Sequence, residues 1–134
     1  MDTEPRFEIR FDVDARAEYE RLDGSILRLV NARLEDLESR ADQIGKVLVN
    51  KHGTELHGCK ELKLRKIGIR IVFLVTDRVV HVLRVVQVIA IERREGERVF
   101  KIASCRYSKF RGLTLKQAEE HLSRLRAWRS FRKD

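Results

Sequence analysis

Charged and apolar residues alternate from Arg6 to Val13, with Phe7, Ile9, Phe11 and Val13 on one side, which predicts a half-buried strand. Asp14 is placed to cap a helix over Ala15–Leu22. Asp23-Gly24-Ser25 breaks it before a longer helix that carries Ile26, Leu29, Val30, Leu34, Leu37 and Ala41 at helical spacing. Two antiparallel helices follow from this order. Residues 43–58, with Gly45, Gly53 and Gly58, read as a connection holding at most a short extended piece. Three apolar-rich runs come next, at about Glu61–Lys66, Ile69–Thr76 and Val79–Ile91. Gly68 turns the chain between the first two and a tight turn near Asp77-Arg78 joins the last two, giving an antiparallel meander. After Arg93-Arg94-Glu95-Gly96, the stripe Val99, Ile102, Ala103 and Arg106 predicts a short helix over Glu97–Tyr107 with a basic polar side. Thr114-Leu115-Lys116-Gln117 has the form of a capping box. From it Leu115, Ala118, Leu122, Leu125 and Trp128 continue one amphipathic helix to the C-terminus.

These elements fill a chain of 134 residues, enough for one core. The charge changes the picture more than the length does. Residues 1–50 carry 8 Lys and Arg against 12 Asp and Glu, a net −4, whereas residues 51–134 carry 21 against 9, a net +12. A surplus confined to one half points to a polyanionic partner, whether RNA, DNA, a ribosome or an acidic protein segment. The beginning of the chain is acidic and leads into no apolar stretch, so the expected location is the cytoplasm. The run Val79–Ile91 is broken by His81, Arg84 and Gln87 and is too short to cross a bilayer, so no membrane is expected as a partner. Cys59 and Cys105 read as unpaired thiols, and the four histidines have no zinc-ligand spacing, so no metal is assigned.

The most informative stretch is Cys59 to Val75. Alternation places Leu62 and Leu64 on one face of a strand and Glu61, Lys63 and Arg65 on the other. Arg70 opens the next strand after the Gly68 turn. Cations at fixed spacing on a sheet lose little freedom on binding and so hold an anion well; a nucleic-acid phosphate is the expected one. Within the same strand Glu61 reads as an ion-pair partner of Lys63 or Arg94 rather than as a general base. The basic residues of the last helix, Arg124, Arg126, Arg129, Arg132 and Lys133, either bind ribosomal RNA or form a solvated face while the helix packs through its apolar stripe.

The element order and three segments resemble the RelE/ParE toxin superfamily. The segments are Ala17 to Ile26, Gly58 to Arg65 leading into Gly68 to Phe73, and Ile91 to Glu95 leading to Val99-Phe100-Lys101. The resemblance spans about residues 6–107. It implies an α+β, RelE-like fold: an antiparallel sheet of about four strands, an N-terminal helical hairpin on one face, and C-terminal helices. Residues 1–107 then form the toxin domain, and 108–134 a helical extension packed on it. The resemblance further implies a toxin of a type II toxin–antitoxin system, held inactive by a cognate antitoxin in a hetero-oligomer. RelE-like members cleave messenger RNA in the ribosomal A site by attack of a ribose 2′-hydroxyl on the neighbouring phosphate, with no metal or other cofactor. By position, Lys63, Arg70 and Arg94 match basic catalytic positions, and Lys60, Arg65, Arg93 and Phe100 are the RNA-contacting candidates. The chain departs from the pattern at four of its positions: Glu61 stands where a second lysine is frequent, Phe100 stands where a base-stacking tyrosine is found, and Arg93 and Glu92 replace the Lys and Gly common just before the Arg94-Glu95 pair. Phe100 is then either a base platform without a hydroxyl or a packing residue of its helix. Two other functions fit the same family: a ParE-like inhibitor of DNA gyrase that cleaves nothing, and a catalytically silent module that only binds an antitoxin.

Overall fold

Phe7, Ile9 and Phe11 are almost wholly buried along one side of β1 (Phe7–Phe11), as alternation demands. The computed structural model describes residues 6–48, 58–80, 83–93 and 98–134, the side chains of 77–80, 83–93, 98–103 and 110 excepted. Val13 does not continue the apolar row. It opens α1 (Val13–Glu20) and is 72% exposed, because the carboxylate of Asp12, not that of Asp14, accepts the capping hydrogen bond from the Asp14 amide. Helix α2 (Gly24–Arg40) buries Leu27, Val30, Leu34 and Leu37, with Ala41 just beyond its end. Leu29 stays half-exposed and Leu27 takes its place in the core. Together these side chains and Ala15 and Tyr19 of α1 meet the sheet in a single core.

The sheet has five strands in the order β1-β5-β4-β3-β2, where β2 is Lys46–Val47, β3 Lys60–Leu64, β4 Ile69–Val80 and β5 Leu83–Arg93. The meander β3-β4-β5 is antiparallel, as the sequence suggests; β1 joins β5 in parallel and the short β2 adds an edge. The reversal expected near Asp77-Arg78 is not there. Pairing runs on to Val80 opposite Leu83, and between Val75↔Val86 and Val79↔Arg84 four steps on β4 face two on β5. Thr76, Asp77 and Arg78 therefore form a bulge, which uses polar residues for the same reason a turn does: their backbone leaves the ladder.

Beyond the sheet, α3 (Arg98–Arg111) packs against β5 and is one turn longer than its apolar stripe suggests. The capping box at Thr114 forms as expected, with Thr114 Oγ1 accepting from the Gln117 amide at 3.2 Å and Gln117 Oε1 from the Thr114 amide at 3.0 Å. Helix α4 (Leu115–Arg124), however, stops short of the terminus. Leu125 is extended, Ala127 bridges to Arg10 beside β1, and a single turn α5 (Trp128–Phe131) follows. The guanidinium of Arg10 donates to the carbonyls of Leu122 and Leu125, ending α4 there. Leu115 is left 71% exposed, while Trp128 enters the core at 0% exposure.

Candidate functional site

The site follows from one register. The chain leaves β3 at Leu64, makes a 3-10 turn over Arg65–Ile67 and reverses at Gly68, whose φ of 65° is left-handed and whose missing Cβ would meet nothing. Leu64 then pairs with Ile69, and Lys63 stands directly opposite Arg70. Because Leu62, Leu64, Ile69 and Ile71 belong to the core side, Glu61, Lys63, Arg70 and Val72 share the other face.

The cations are not alone on this face. The Glu61 carboxylate lies between them, with Oε2 3.3 Å from Arg70 Nη1 and Oε1 3.6 Å from Lys63 Nζ. Burial is graded across the three: the side chains of Glu61 and Arg70 are 2% and 8% exposed, that of Lys63 27%. An approaching anion meets Lys63 first. On the far side of Arg70 the register places Glu92 on β5. Like charges directly opposite each other destabilise an antiparallel pair. The Glu61 carboxylate, within ion-pair distance of both, offsets the repulsion between Lys63 and Arg70.

The other expected residues fare differently. Lys60 is on the opposite side of β3 and donates through Nζ to the Ala41 carbonyl at 3.0 Å, so it neutralises the end of α2 instead of joining the cluster. Arg65 is not on the strand face that alternation assigned to it; it is exposed in the 3-10 turn. Arg93 pairs in register with Ile69 rather than Arg70, and Phe100 lies in α3; the side chains of both are outside the described residues, as is Arg94 altogether.

Two features of this region escaped the sequence reading. Just before β3 stands Cys59, fully buried and with its thiol pushed up to about 12 by burial, an effect that nearby Arg111 opposes. Tyr107 of α3 lies beside it, its hydroxyl 3.1 Å from the point where a Cβ on Gly58 would sit, and burial followed by the neighbouring Cys59 raises its phenol. No spacing between residues 59 and 107 signals that contact. The Glu61–Arg70 pair, in contrast, was within reach: a four-residue reversal around Gly68 sets residue 63 against residue 70. A concavity of about 250 Å³ lies elsewhere, between the start of α1 and helices α3 and α4, lined by Asp12, Asp14, Arg106, Lys109, Leu113 and His121. The Arg106 guanidinium at its wall is held by both oxygens of Glu18, at 2.9 and 3.0 Å.

A strand followed by a helical hairpin, a β3-β4-β5 meander and a helix after the last strand defines a RelE-like α+β fold. The Escherichia coli toxin RelE, in an arginine-substituted form in the free state, matches this chain with a TM-score of 0.58 at 24% identity, over 76% of this chain and 97% of the toxin. A chain of the intact Escherichia coli RelBE toxin–antitoxin complex matches with a TM-score of 0.50 at 22% identity, over 65% of this chain and 95% of its own length. At these identities the likeness is one of fold. No family model matches the chain, and a search of curated proteins finds no match. Among the described residues no helix is long and apolar enough to cross a membrane.

Proposed function

We propose that this chain is the toxin of a type II toxin–antitoxin system and acts as a ribosome-dependent endoribonuclease on messenger RNA. The observation that carries the reading is the direct opposition of Lys63 and Arg70 on neighbouring strands of a RelE-like sheet. In the reaction, a ribose 2′-oxygen attacks the adjacent phosphorus and the bond to the 5′-oxygen breaks, leaving a cyclic phosphate and a 5′-hydroxyl. Charge builds on the equatorial phosphate oxygens as this happens. Lys63, at the rim, suits the capture of the phosphate, and Arg70 beneath it suits stabilisation of the developing charge. Arg94, outside the described residues, is assigned to the cationic set by the family resemblance, with Arg65, Arg93 and Phe100 as further RNA contacts. Lys60, tied to α2, is the weakest member of that group.

Residues 1–107 constitute the toxin domain and 108–134 an extension of it. The partner is a cognate antitoxin, by analogy with the RelBE complex. A second reading, the same fold without cleavage, whether as a silent antitoxin-binding module or as an inhibitor of DNA gyrase, draws support from the Glu61 carboxylate that neutralises the two cations. Inducing the chain in bacteria and mapping RNA 5′ ends separates the two. The ribonuclease produces cuts aligned to the ribosomal A site that vanish in Lys63→Ala and Arg70→Ala. Intact transcripts together with inhibited supercoiling refute it in favour of the gyrase reading.

A further inference from the structure

We propose that Glu61 is a resident anion: in the free protein its carboxylate holds the place of the substrate phosphate, and RNA binds by displacing it. This rests on the ribonuclease reading for what the phosphate belongs to, but the ionic argument stands on the geometry alone. Three observations support it. The carboxylate offers one oxygen to each cation, at 3.6 Å to Lys63 and 3.3 Å to Arg70, which is the way a phosphate's two non-bridging oxygens engage a lysine–arginine pair. The Arg70 side chain is 8% exposed and Glu61 is 2% exposed, so both lie beneath the surface and the Arg70 oxygen partner is already supplied by the carboxylate. Lys63 alone is open enough, at 27%, to receive an incoming phosphate first.

The arrangement makes the site electrostatically quiet until an RNA phosphate is held close enough to compete. Free RNA in solution is then a poor ligand, and an RNA positioned by another body, as on a ribosome, is a good one because its phosphate arrives at high effective concentration. Glu61 is in this account a positioning residue and a gate. Its energetic role is to keep two like charges compatible in the empty state and to yield to a second anion in the occupied one.

The test is titration of a short fluorescein-labelled single-stranded RNA into the purified full chain, with the salt dependence of binding and the melting temperature with and without inorganic phosphate. Glu61→Gln is expected to bind RNA tighter by on the order of tenfold, because a full negative charge within about 4 Å of both cations is removed. It is also expected to gain more thermal stability from phosphate than the parent does. Lys63→Met is expected to bind more weakly, and Glu61→Gln combined with Lys63→Met to return near the parent. If Glu61→Gln does not fold without phosphate, Glu61→Asp decides: a carboxylate drawn back by one methylene leaves the cations partly uncovered and is expected to bind RNA tighter than the parent. Equal or weaker RNA binding by the folded Glu61 variants overturns the proposal, as does tighter binding that persists unchanged when Lys63 is also replaced. The two readings fail separately. Tight RNA binding by Glu61→Gln without any A-site cleavage sinks the ribonuclease and leaves the gate; cleavage by the parent with no gain in the Glu61 variants does the reverse.

Discussion

Trp128 offers the sharpest test of how the C-terminal segment joins the core. It is fully buried, and its ring carries the guanidinium of Arg132 at 4.9 Å and that of Arg129 at 5.2 Å. A buried tryptophan removes about 150–250 Å² from water, so at about 25 cal/mol per Å² its transfer is worth roughly 4–6 kcal/mol; large-to-small aromatic substitutions in cores cost about 3–5 kcal/mol. Trp128→Ala is therefore expected to lose about 3–5 kcal/mol. Trp128→Phe is different in kind. The indole Nε1 is buried with no hydrogen-bond partner among the described residues, a penalty of about 1–3 kcal/mol that phenylalanine removes while keeping a ring for both arginines. The lost area and the relieved donor nearly offset each other, so a net loss of about 1 kcal/mol or less is expected. Urea denaturation followed by far-ultraviolet circular dichroism reads both values without relying on the sole tryptophan. A loss below about 1 kcal/mol in Trp128→Ala refutes the core role of the segment. Equal losses in the two variants refute the argument from the unpaired indole.

The two thiols are expected to differ in the native state: Cys105, exposed, reacts with an alkylating reagent at mildly basic pH, and Cys59, buried with its thiol pushed up to about 12, does not until the protein unfolds. Since the folded state raises the Cys59 pKa above its ordinary 9.0, that contribution to stability is whole below about 9 and is lost as pH climbs towards about 12, which a series of denaturation midpoints across that window measures. Gly45→Ala is expected to destabilise strongly, by at least about 2 kcal/mol, because φ is 90° and a Cβ would lie 3.0 Å from the Phe73 ring and 3.1 Å from the Glu61 carbonyl. Gly68→Asn, at φ 65° with open space around it, is expected to cost under about 1 kcal/mol by the same assay; similar costs at the two positions contradict this. Arg129→Ala removes a two-point contact to Glu38 at 2.5 and 2.9 Å; the guanidinium is 55% exposed but the carboxylate it leaves behind is 7% exposed, so a loss of about 1–3 kcal/mol that shrinks only in part with added salt is expected in urea titrations at low and high ionic strength.

Most elements were legible because each rests on one strong local signal. The row Phe7, Ile9, Phe11 has period two and needs no context, and the capping box at Thr114 is a complete four-residue code. The errors have equally specific causes. Leu122, Leu125 and Trp128 are spaced by three residues, which a continuous helix satisfies. An extended Leu125 followed by a fresh turn satisfies it too, and neither glycine nor proline marks the break, whose cause lies far away in the Arg10 side chain. Thr76-Asp77-Arg78 has the composition of a turn, and only the length of β5 reveals it as a bulge. At the site, the facing of Lys63 and Arg70 is a consequence of turn length and so was accessible, whereas the diversion of Lys60 to the Ala41 carbonyl depends on where α2 ends in space.

The same distinction bears on the charge argument. A surplus of +12 in residues 51–134 suggests a surface held ready for a polyanion, yet much of it is answered within the fold by the acidic half of the chain. Arg106 is gripped by Glu18, Arg129 by Glu38 and Arg132 by Glu35, three pairs that join α3 and the C-terminal turn to α1 and α2. Lys133 adds to them by donating to the carbonyls of Glu20 and Leu22, while its own carbonyl accepts from Asn31 Nδ2 at 2.6 Å. Arg129, Arg132 and Lys133 thus serve first to fasten the segment, while Arg124 and Arg126 stay exposed. Glu61 does for Lys63 and Arg70 what these acids do for the tail, with one difference that matters: Arg129 and Arg132 are 55% and 22% exposed, whereas Arg70 and Glu61 are both buried, where a lost partner costs far more. Net charge therefore overstates the affinity of the free protein for RNA. On the proposed displacement of Glu61, what governs it is whether an incoming phosphate takes the place of that carboxylate between two cations that are already in position.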